Sequence, residues 1–133
     1  MPLIQIRYNA SAIPVEAISA LRETLPAVAA KALTCADNIK CVPKDIMLEF
    51  ERMSAFDLNC KDINIRVWAH DYPSRREILD LAREHIAKEV LKHVPTEVSW
   101  YVWMLPMPSS YGSDAEQLFF SSSQLKYGTQ SSL

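Results

Sequence analysis

The chain begins with the stretch MPLIQIRY, residues 1–8, which predicts a β-strand from the second residue onward. Ile4 and Ile6 fall on one side of an extended chain, and the residues between them fall on the other. Proline is tolerated at the head of a strand because its missing N–H breaks no ladder hydrogen bond there. If Met1 is removed, Pro2 acquires a secondary amine that the sheet would hold in a fixed position. Such an amine is a candidate base.

A second copy of this pattern starts 59 residues later. The segment IQIR at 4–7 corresponds to INIR at 63–66, and Pro14 corresponds to Pro73 at the same offset. After each proline, apolar residues recur at the spacing of an amphipathic helix, and after each helix a further alternating segment predicts a strand. We therefore interpret the chain as two βαβ units of about sixty residues each.

The complete pattern predicts four strands and two helices. Pro26 lies within the first predicted helix and is expected to kink it or to split it at Leu25. Short units of this kind give an α+β protein, a two-layer sandwich in which a four-stranded mixed sheet carries both helices on one face. The predicted apolar face of the second helix comprises Ile78, Leu81, Ala82, Ile86, Val90 and Leu91. The predicted strands are 2–8, 46–51, 62–69 and 98–104, and the predicted helices are 14–33 and 74–92.

The second helix begins with Ser74-Arg75-Arg76-Glu77, which has the form of a capping box. In that motif the serine and glutamate side chains each accept a hydrogen bond from an N–H group at the helix start. Two arginines in a first turn are locally unfavourable because the helix N-terminus already carries partial positive charge. Such a conflict is expected where arginine and helix N–H groups hold an anion together. The alternative is that both arginines simply point to solvent.

The side of the sheet opposite the helices is predicted to be polar and aromatic. It is too mixed to be the core of a monomer and too aromatic to be only a solvated surface, which indicates contact between subunits. Its predicted members are Gln5, Arg7, Glu49, Glu51, Asn64, Arg66, Tyr101 and Trp103.

Composition limits the class of protein. The chain has 133 residues, of which 49% are hydrophobic and 23% charged, as in an ordinary globular domain. Its net charge of −2 gives no electrostatic basis for binding nucleic acid or a membrane surface. No apolar run reaches the ~20 residues of a membrane span, and the first residues lack a secretory signal. Three cysteines without a C-x-x-C pattern are expected to be thiols of a reducing compartment, so we expect a cytoplasmic protein.

The chain changes character after Leu105. Prolines and serines interrupt regular structure there, and 121–133 is rich in serine. We expect one domain over 1–108 and a C-terminal extension over 109–133 that is partly mobile. Within the extension, Leu118-Phe119-Phe120 could dock as a short apolar patch.

A proline at the head of a strand, a doubled βαβ unit and an arginine-bearing start to the second helix resemble the tautomerase superfamily. That superfamily includes oxalocrotonate tautomerase, carboxymethyl-hydroxymuconate isomerase and macrophage migration inhibitory factor. The opening MPLIQI is similar to the start of many members, and the resemblance covers roughly residues 2–105. The length and the aromatic fourth strand fit the longer, fused-unit branch with its uncharacterised bacterial proteins. The resemblance implies a homotrimer of four-stranded sheets, with the helices outside and the sites at subunit edges.

The resemblance also implies that Pro2, after removal of Met1, is the catalytic base. An α-amino group titrates at about 7.7–8.0 in model peptides, and burial or neighbouring arginines lower its pKa. The neutral amine can then move a proton on a carbon next to a carbonyl group. Substrates that enolise in this way usually carry a carboxylate, which guanidinium groups bind bidentately.

Five residues are candidates for binding such a small carboxylate substrate. Arg75 and Arg76 would bind the carboxylate, and Tyr101 and Trp103 would form a wall of the site. His70 lies just before the second helix, close to where a substrate would lie. Packing in the core or at an interface is the alternative for the two aromatic residues. We expect no metal and no cofactor, because the three histidines have no metal-ligand spacing and no phosphate-binding loop is present.

Two functions therefore stand as hypotheses. The first is a tautomerase or isomerase that uses the Pro2 amine on a small keto or enol carboxylic acid. The second is a non-catalytic trimeric binding or interaction protein that retains the fold. Retention of Met1 would favour the second, because the Pro2 nitrogen would then be a tertiary amide without basicity.

Overall fold

The computed structural model describes residues 2–108, and Met1 and the predicted C-terminal extension, 109–133, lie outside the described residues. Within that range the elements follow one another as two βαβ units. The strands are β1 (Leu3–Tyr8), β2 (Met47–Arg52), β3 (Ile63–His70) and β4 (Trp100–Met107). The helices are α1 (Val15–Leu33), α2 (Pro73–Arg76) and α3 (Leu79–Leu91), and a 3-10 turn at Pro43–Asp45 precedes β2.

The four strands form one mixed sheet in the order β2-β1-β3-β4. β1 is parallel to β2, β3 is parallel to β4, and β1 is antiparallel to β3 where the two units meet. Each parallel pair is connected through a helical crossover, as parallel strands require. The predicted architecture of two joined βαβ units in a four-stranded sheet is confirmed.

The core lies between the sheet and the helices. Because side chains alternate along β1 and β3, one set of them faces the helices. The apolar stripes of α1 and α3 face the sheet and pack against this set. Burying each large aliphatic side chain in such a layer stabilises the fold by about 1.5–3 kcal/mol. The central buried residues are Ile4, Ile6, Leu21, Leu25, Leu33, Ile63, Ile65, Val67, Ile86 and Val90.

The opposite side of the sheet, which we call the open face, has the predicted composition. In the strand register Glu51, Arg7, Asn64 and Tyr101 form one cross-strand row. The next row consists of Glu49, Gln5, Arg66 and Trp103. The strand parities that were assigned from alternation are therefore correct in all four strands.

The first helix is one continuous element, within one residue of its predicted bounds. Pro26 lies inside α1, which runs without interruption from Val15 to Leu33, so the predicted split at Leu25 is wrong.

The second helix differs from the prediction in two ways. It is two elements, α2 and α3, with Glu77 and Ile78 between them. Its predicted apolar face is also too wide, since Leu81 and Leu91 are 55% and 40% exposed. The buried stripe of α3 consists of Ala82, Ile86, Ala87, Glu89 and Val90.

Candidate active site

One end of the sheet gathers parts of both units. Because β1 runs antiparallel to β3, the start of β1 lies beside the end of β3. Because β3 is parallel to β4 and β1 to β2, the end of β4 and the start of β2 come to the same place. We call this the Pro2 end of the sheet, and its residues are Pro2, Met47, His70 and Met107.

Pro2 is buried at this end. Its carbonyl oxygen accepts a hydrogen bond from the Met47 N–H at 2.9 Å, so the chain joins the sheet from its second residue. Continuing the β1–β3 register by one residue places Pro2 opposite Ala69. Pro2 shares its parity with Ile4 and Ile6, so its ring faces the helix layer and not the open face.

Arg75 is 1% exposed and is bonded to the backbone of two other segments. Its Nε and Nη2 donate to the Leu33 carbonyl at 3.1 and 3.0 Å, and its Nη1 donates to the His70 carbonyl at 3.1 Å. Its guanidinium carbon lies 5.0 Å from the centroid of the Tyr72 ring, within cation–π range. Leu33 ends α1, so Arg75 satisfies a carbonyl that the helix leaves without a partner. The alternative that Arg75 points to solvent is wrong, and its binding of a substrate stays a prediction.

Arg76 has a different partner. Its side chain is 61% exposed, and its Nε and Nη2 donate to the two oxygens of Asp71 at 2.5 and 2.8 Å. This bidentate hydrogen bond holds the pKa of Asp71 below its ordinary value and raises the pKa of Arg76. The two arginines therefore do not converge on one point, since one binds carbonyl groups and the other a carboxylate. Substrate binding by Arg76 also stays a prediction.

The predicted capping box is wrong. Tyr72 is the N-cap of α2, and no side-chain hydrogen bond from that position caps the helix. Instead the Asp37 carboxylate, from the loop after α1, accepts bonds from the Ser74 hydroxyl at 2.7 Å and the Ser74 N–H at 3.3 Å. These bonds, the hydroxyl first, lower the pKa of Asp37. Sequence reasoning missed Asp37 because its partner lies 37 residues away in the chain.

His70 is brought to the same end of the sheet as Pro2. It ends β3, and its ring lies 4.4 Å from the Tyr72 ring between centroids, tilted by 59°. Its carbonyl oxygen also accepts the Tyr72 N–H at 3.1 Å, in addition to the bond from Arg75. The His70–Tyr72 pair thus joins the end of β3 to the start of α2, and a role in binding substrate stays a prediction.

Tyr101 and Trp103 lie elsewhere in the same chain. They occupy the open face of β4 and contact each other edge-to-face, with ring centroids 5.7 Å apart. Trp103 precedes Met107 by four residues and Tyr101 by six, so they lie about 13 and 20 Å from the Pro2 end along an extended strand. Trp103 is 55% exposed. A site wall made of these residues would have to face the Pro2 end of another protomer.

Sequence reasoning also missed Trp68. It lies opposite Leu3 on the open face, near the Pro2 end. Its Nε1 donates to Gln5 Oε1 at 2.7 Å, and Gln5 Nε2 donates in turn to Glu49 Oε1 at 3.2 Å. The parity of β3 could have found it, because Trp68 follows Arg66 by two residues.

One free thiol, that of Cys41, lies close enough to Arg75 to be affected by its charge. Burial raises the pKa of the Cys41 thiol, and the charge of Arg75 opposes that rise only in part. A thiol with a raised pKa is protonated near neutral pH and is a weak nucleophile.

Within residues 2–108 no cluster of three or more His, Cys, Asp or Glu side chains could hold a metal ion. No helix in the same range is both long and apolar enough to cross a membrane.

Three solved structures share this arrangement over most of both chains. The R7 fused 4-OT, a wild-type asymmetric trimer, has a TM-score of 0.59 and 12% identity over 88% of this chain and 98% of that one. Leishmania major MIF2 has a TM-score of 0.56 and 15% identity, with 85% and 94% covered. A malonate semialdehyde decarboxylase has a TM-score of 0.57 and 11% identity, with 88% and 96% covered.

The chain has the tautomerase-superfamily fold. The resemblance drawn from residues 2–105 is therefore confirmed at the level of fold. Identities of 11–15% carry no statement about activity. No protein-family model and no curated protein matches the chain. In this tautomerase fold the candidate base heads the first strand, and the second unit supplies the arginines and His70.

Proposed function

We propose that the protein is a tautomerase or isomerase that uses the amine of Pro2, exposed by removal of Met1, as general base on a small keto or enol carboxylic acid. The observation that carries this proposal is the burial of Pro2 at the head of β1, at the same end of the sheet as His70 and Arg75. A 4-OT and a malonate semialdehyde decarboxylase share the fold, which supports a related chemistry here.

The proposed base must be neutral near pH 7. An ordinary α-amino group has a pKa of about 7.7–8.0, and burial and a nearby cation both disfavour its charged form. Pro2 is buried, and the buried guanidinium of Arg75 lies at the same end of the sheet. The neutral amine would take a proton from the carbon next to the carbonyl, leave an enolate, and return the same proton one or two atoms along. The reaction is balanced without an oxidant or a reductant.

The substrate carboxylate would be held mainly by Arg76. Its guanidinium is exposed, and its fork already binds one carboxylate, that of Asp71, in the bidentate geometry that an acid substrate would use. Arg75 would contribute from the interior, where it fixes the carbonyl of His70 and the end of α1. His70 would lie beside the bound substrate.

The active assembly would be a homotrimer, as the resemblance implies. The open face carries exposed Trp103 beside Tyr101, and these residues lie too far along β4 to reach the Pro2 end of their own chain. In a trimer they would form a wall of the site of a neighbouring protomer. A particle mass of three chains by light scattering supports this assembly, and the mass of one chain contradicts it.

Removal of Met1 and loss of Pro2 test the proposed base. Intact-mass spectrometry is expected to show the chain without Met1. Tautomerisation of phenylpyruvate or hydroxymuconate is then expected to fall about a hundredfold in Pro2→Ala, the scale of general-base catalysis. Pro43→Ala, which changes an exposed proline outside the site, is the control and should keep full activity. Retained Met1, equal activity of Pro2→Ala and the unmodified chain, or no activity in either contradicts the enzyme.

A matched pair of arginines tests the carboxylate site. Arg76→Ala is expected to raise KM for a carboxylate substrate about tenfold, because a charge-assisted hydrogen bond is lost. Arg83→Ala removes a comparable exposed arginine, whose Nη1 donates to Asp80 at 2.9 Å on α3, and should leave KM unchanged. Equal KM values in the two variants would place the carboxylate elsewhere.

A second candidate is a non-catalytic trimeric binding protein with the same fold. It is favoured by the partners that both arginines already have within the chain, Arg75 with two carbonyls and Arg76 with Asp71. Retained Met1 together with a trimeric mass would support it. Either function is compatible with the expected cytoplasmic location, which cell fractionation would test.

A further inference from the structure

A groove of about 480 Å³ lies between the second half of α1 and the exposed side of α3. It is on the helix layer, and none of the Pro2-end residues lines it. Its apolar part is formed by Val28, Ala32, Ile78, Leu81 and Ala82, and its polar part by Lys31, Thr34, His85, Lys88, Glu89 and Lys92.

The groove exposes apolar surface that the chain itself does not cover within residues 2–108. Leu81 is more than half exposed there, whereas its neighbour Ala82, which belongs to the buried stripe of α3, is fully buried. An exposed leucine that lines a concave surface leaves apolar area in contact with water, and an apolar occupant would bury that area.

The rim of the groove is positive. Glu89 is its single acidic residue, and that carboxylate is already bonded to His93 at 2.8 Å and to Lys92 at 3.2 Å. Among the described residues, Lys31 and Lys88 form no ion pair. An occupant with both apolar and acidic side chains would therefore complement the groove.

The chain leaves the sheet close to this groove. The carbonyl of Met107, the last residue of β4, accepts a hydrogen bond from the Asp71 N–H at 3.0 Å. Ten residues, most of them helical, separate Asp71 from Leu81, which places Leu81 within about 20 Å of that point. A segment of ten residues beyond Pro108 can span about 33 Å, so position 118 is within reach.

The sequence beyond Pro108 has the required chemistry. Asp114 and Glu116 precede the apolar triplet Leu118-Phe119-Phe120, and no lysine or arginine occurs between Pro108 and Lys126. A short tether also gives a segment of the same chain an effective concentration in the millimolar range, well above that of a separate partner.

We propose that residues 114–120 of the chain dock in this groove, with Leu118-Phe119-Phe120 on its apolar part and Asp114 and Glu116 toward Lys31 and Lys88. The C-terminal extension then covers the outer side of the helix layer. This docking is independent of the chemistry at the Pro2 end.

Zero-length carbodiimide cross-linking of the full chain tests the contact directly. Amide bonds are expected between the carboxylates of Asp114 or Glu116 and the amine of Lys31 or Lys88, in product that migrates as a single chain on a denaturing gel. The Glu89–Lys92 pair, at 3.2 Å, is the positive control. The same links found only in double-chain product would assign the groove to a second copy and overturn the proposal. Their absence beside a reacted Glu89–Lys92 pair would also overturn it.

A second test measures the rate at which chymotrypsin cleaves the full chain after Phe119 and Phe120. It compares two variants in which a leucine of α3 is replaced by glutamate. Leu81→Glu places a charge in the groove and is expected to raise the cleavage rate about tenfold, because docked segments are cut only after release. Leu91→Glu makes the same change on α3 outside the groove and should leave the rate within about twofold. Thermal unfolding monitors that both variants fold. Equal rates in the two folded variants and the unmodified chain would overturn the proposal.

Discussion

The two βαβ units start from the same pattern, but their helices begin in different ways. Pro14 precedes α1, which then runs for 19 residues without interruption. Pro73, at the equivalent position 59 residues later, opens the four-residue α2, and the helix is interrupted before α3 begins at Leu79. The same local signal therefore gives a continuous helix in one unit and a broken one in the other.

The difference follows from what lies around each helix start. The start of α1 is supported by backbone bonds of its own loop, such as that from the Ile13 N–H to the Asn9 carbonyl. The start of α2 is bonded to other segments through Arg75 and Ser74. Tertiary partners thus replace local capping at the Pro2 end of the sheet, and the irregular helix start is where the candidate site lies.

The largest expected effect comes from removing the tertiary partner of that helix start. Arg75→Met removes both guanidinium donors to the Leu33 carbonyl and leaves the His70 carbonyl with only the Tyr72 N–H, and we expect the free energy of unfolding to fall by about 3–5 kcal/mol. Glu16 occupies the equivalent position in the first unit, where it is exposed. Glu16→Ala should cost only about 0.5 kcal/mol, the value of a favourable charge in a first turn.

Urea unfolding at one fixed protein concentration measures both variants, since the stability of an oligomer depends on concentration. Arg75→Lys, which keeps the charge but not the planar fork, should lie between Arg75→Met and the unmodified chain. Equal losses at positions 75 and 16 would mean that the two helix starts are held in the same way.

The layered fold could be predicted from the sequence because it depends on local regularities. Alternation in β1 and β3 assigned Ile4 and Ile63 to the core and Arg7 and Arg66 to the open face, and the register bears out each assignment. The repeat at an offset of 59 fixed the order of the strands along the chain and hence the joining of two βαβ units. These signals do not require knowledge of any distant partner.

The candidate site could be predicted only in part. The position of Pro2 and His70 at one end of the sheet follows from strand directions. The partners of Ser74 and Arg75 do not, since Asp37 and the Leu33 carbonyl lie at and just after the end of the helix of the other unit. A local capping motif was therefore assigned where a tertiary contact holds the helix. The exposure of Leu81 was missed for a related reason, because spacing alone does not give the width of the buried stripe.

A smaller effect is expected from the proline that lies inside the continuous helix of the first unit. Pro26 lies in the middle of α1, where it cannot donate a backbone hydrogen bond. Pro26→Ala restores a donor and a residue with high helix propensity, at the cost of some packing, and we expect the free energy of unfolding to rise by about 1–2 kcal/mol. His85 is the equivalent position in α3, and His85→Ala should change the free energy of unfolding by less than about 0.7 kcal/mol. A lower free energy of unfolding in Pro26→Ala would contradict this prediction. It would mean that the packing of the proline ring stabilises the fold more than the restored backbone donor and the higher helix propensity of alanine do.

The smallest expected effect depends on pH. It distinguishes a helix start that is held by its own residues from one that is held by a distant segment of the chain. Hydrogen bonds from Ser74 hold the pKa of Asp37 below its ordinary value of 3.8 in the folded chain. A carboxyl group with a lowered folded pKa adds stability above its unfolded pKa, and that stability is lost as the pH falls through the folded value. Ser74→Ala removes the hydroxyl that contributes most to this shift. The variant should therefore unfold at lower urea than the unmodified chain at about pH 6, and the gap should narrow at about pH 3.

Ser19→Ala, an exposed serine of α1, is the control from the first unit and should leave the midpoint nearly unchanged at both pH values. If the urea midpoint of Ser74→Ala lies below that of the unmodified chain by the same amount at both pH values, the hydroxyl acts without the Asp37 charge, as in a local cap. A deficit that narrows in acid would instead identify Asp37, and hence the loop after α1, as the element that fixes the start of α2. The start of the second helix would then depend on the first unit, which is the physical reason that its sequence alone did not predict it.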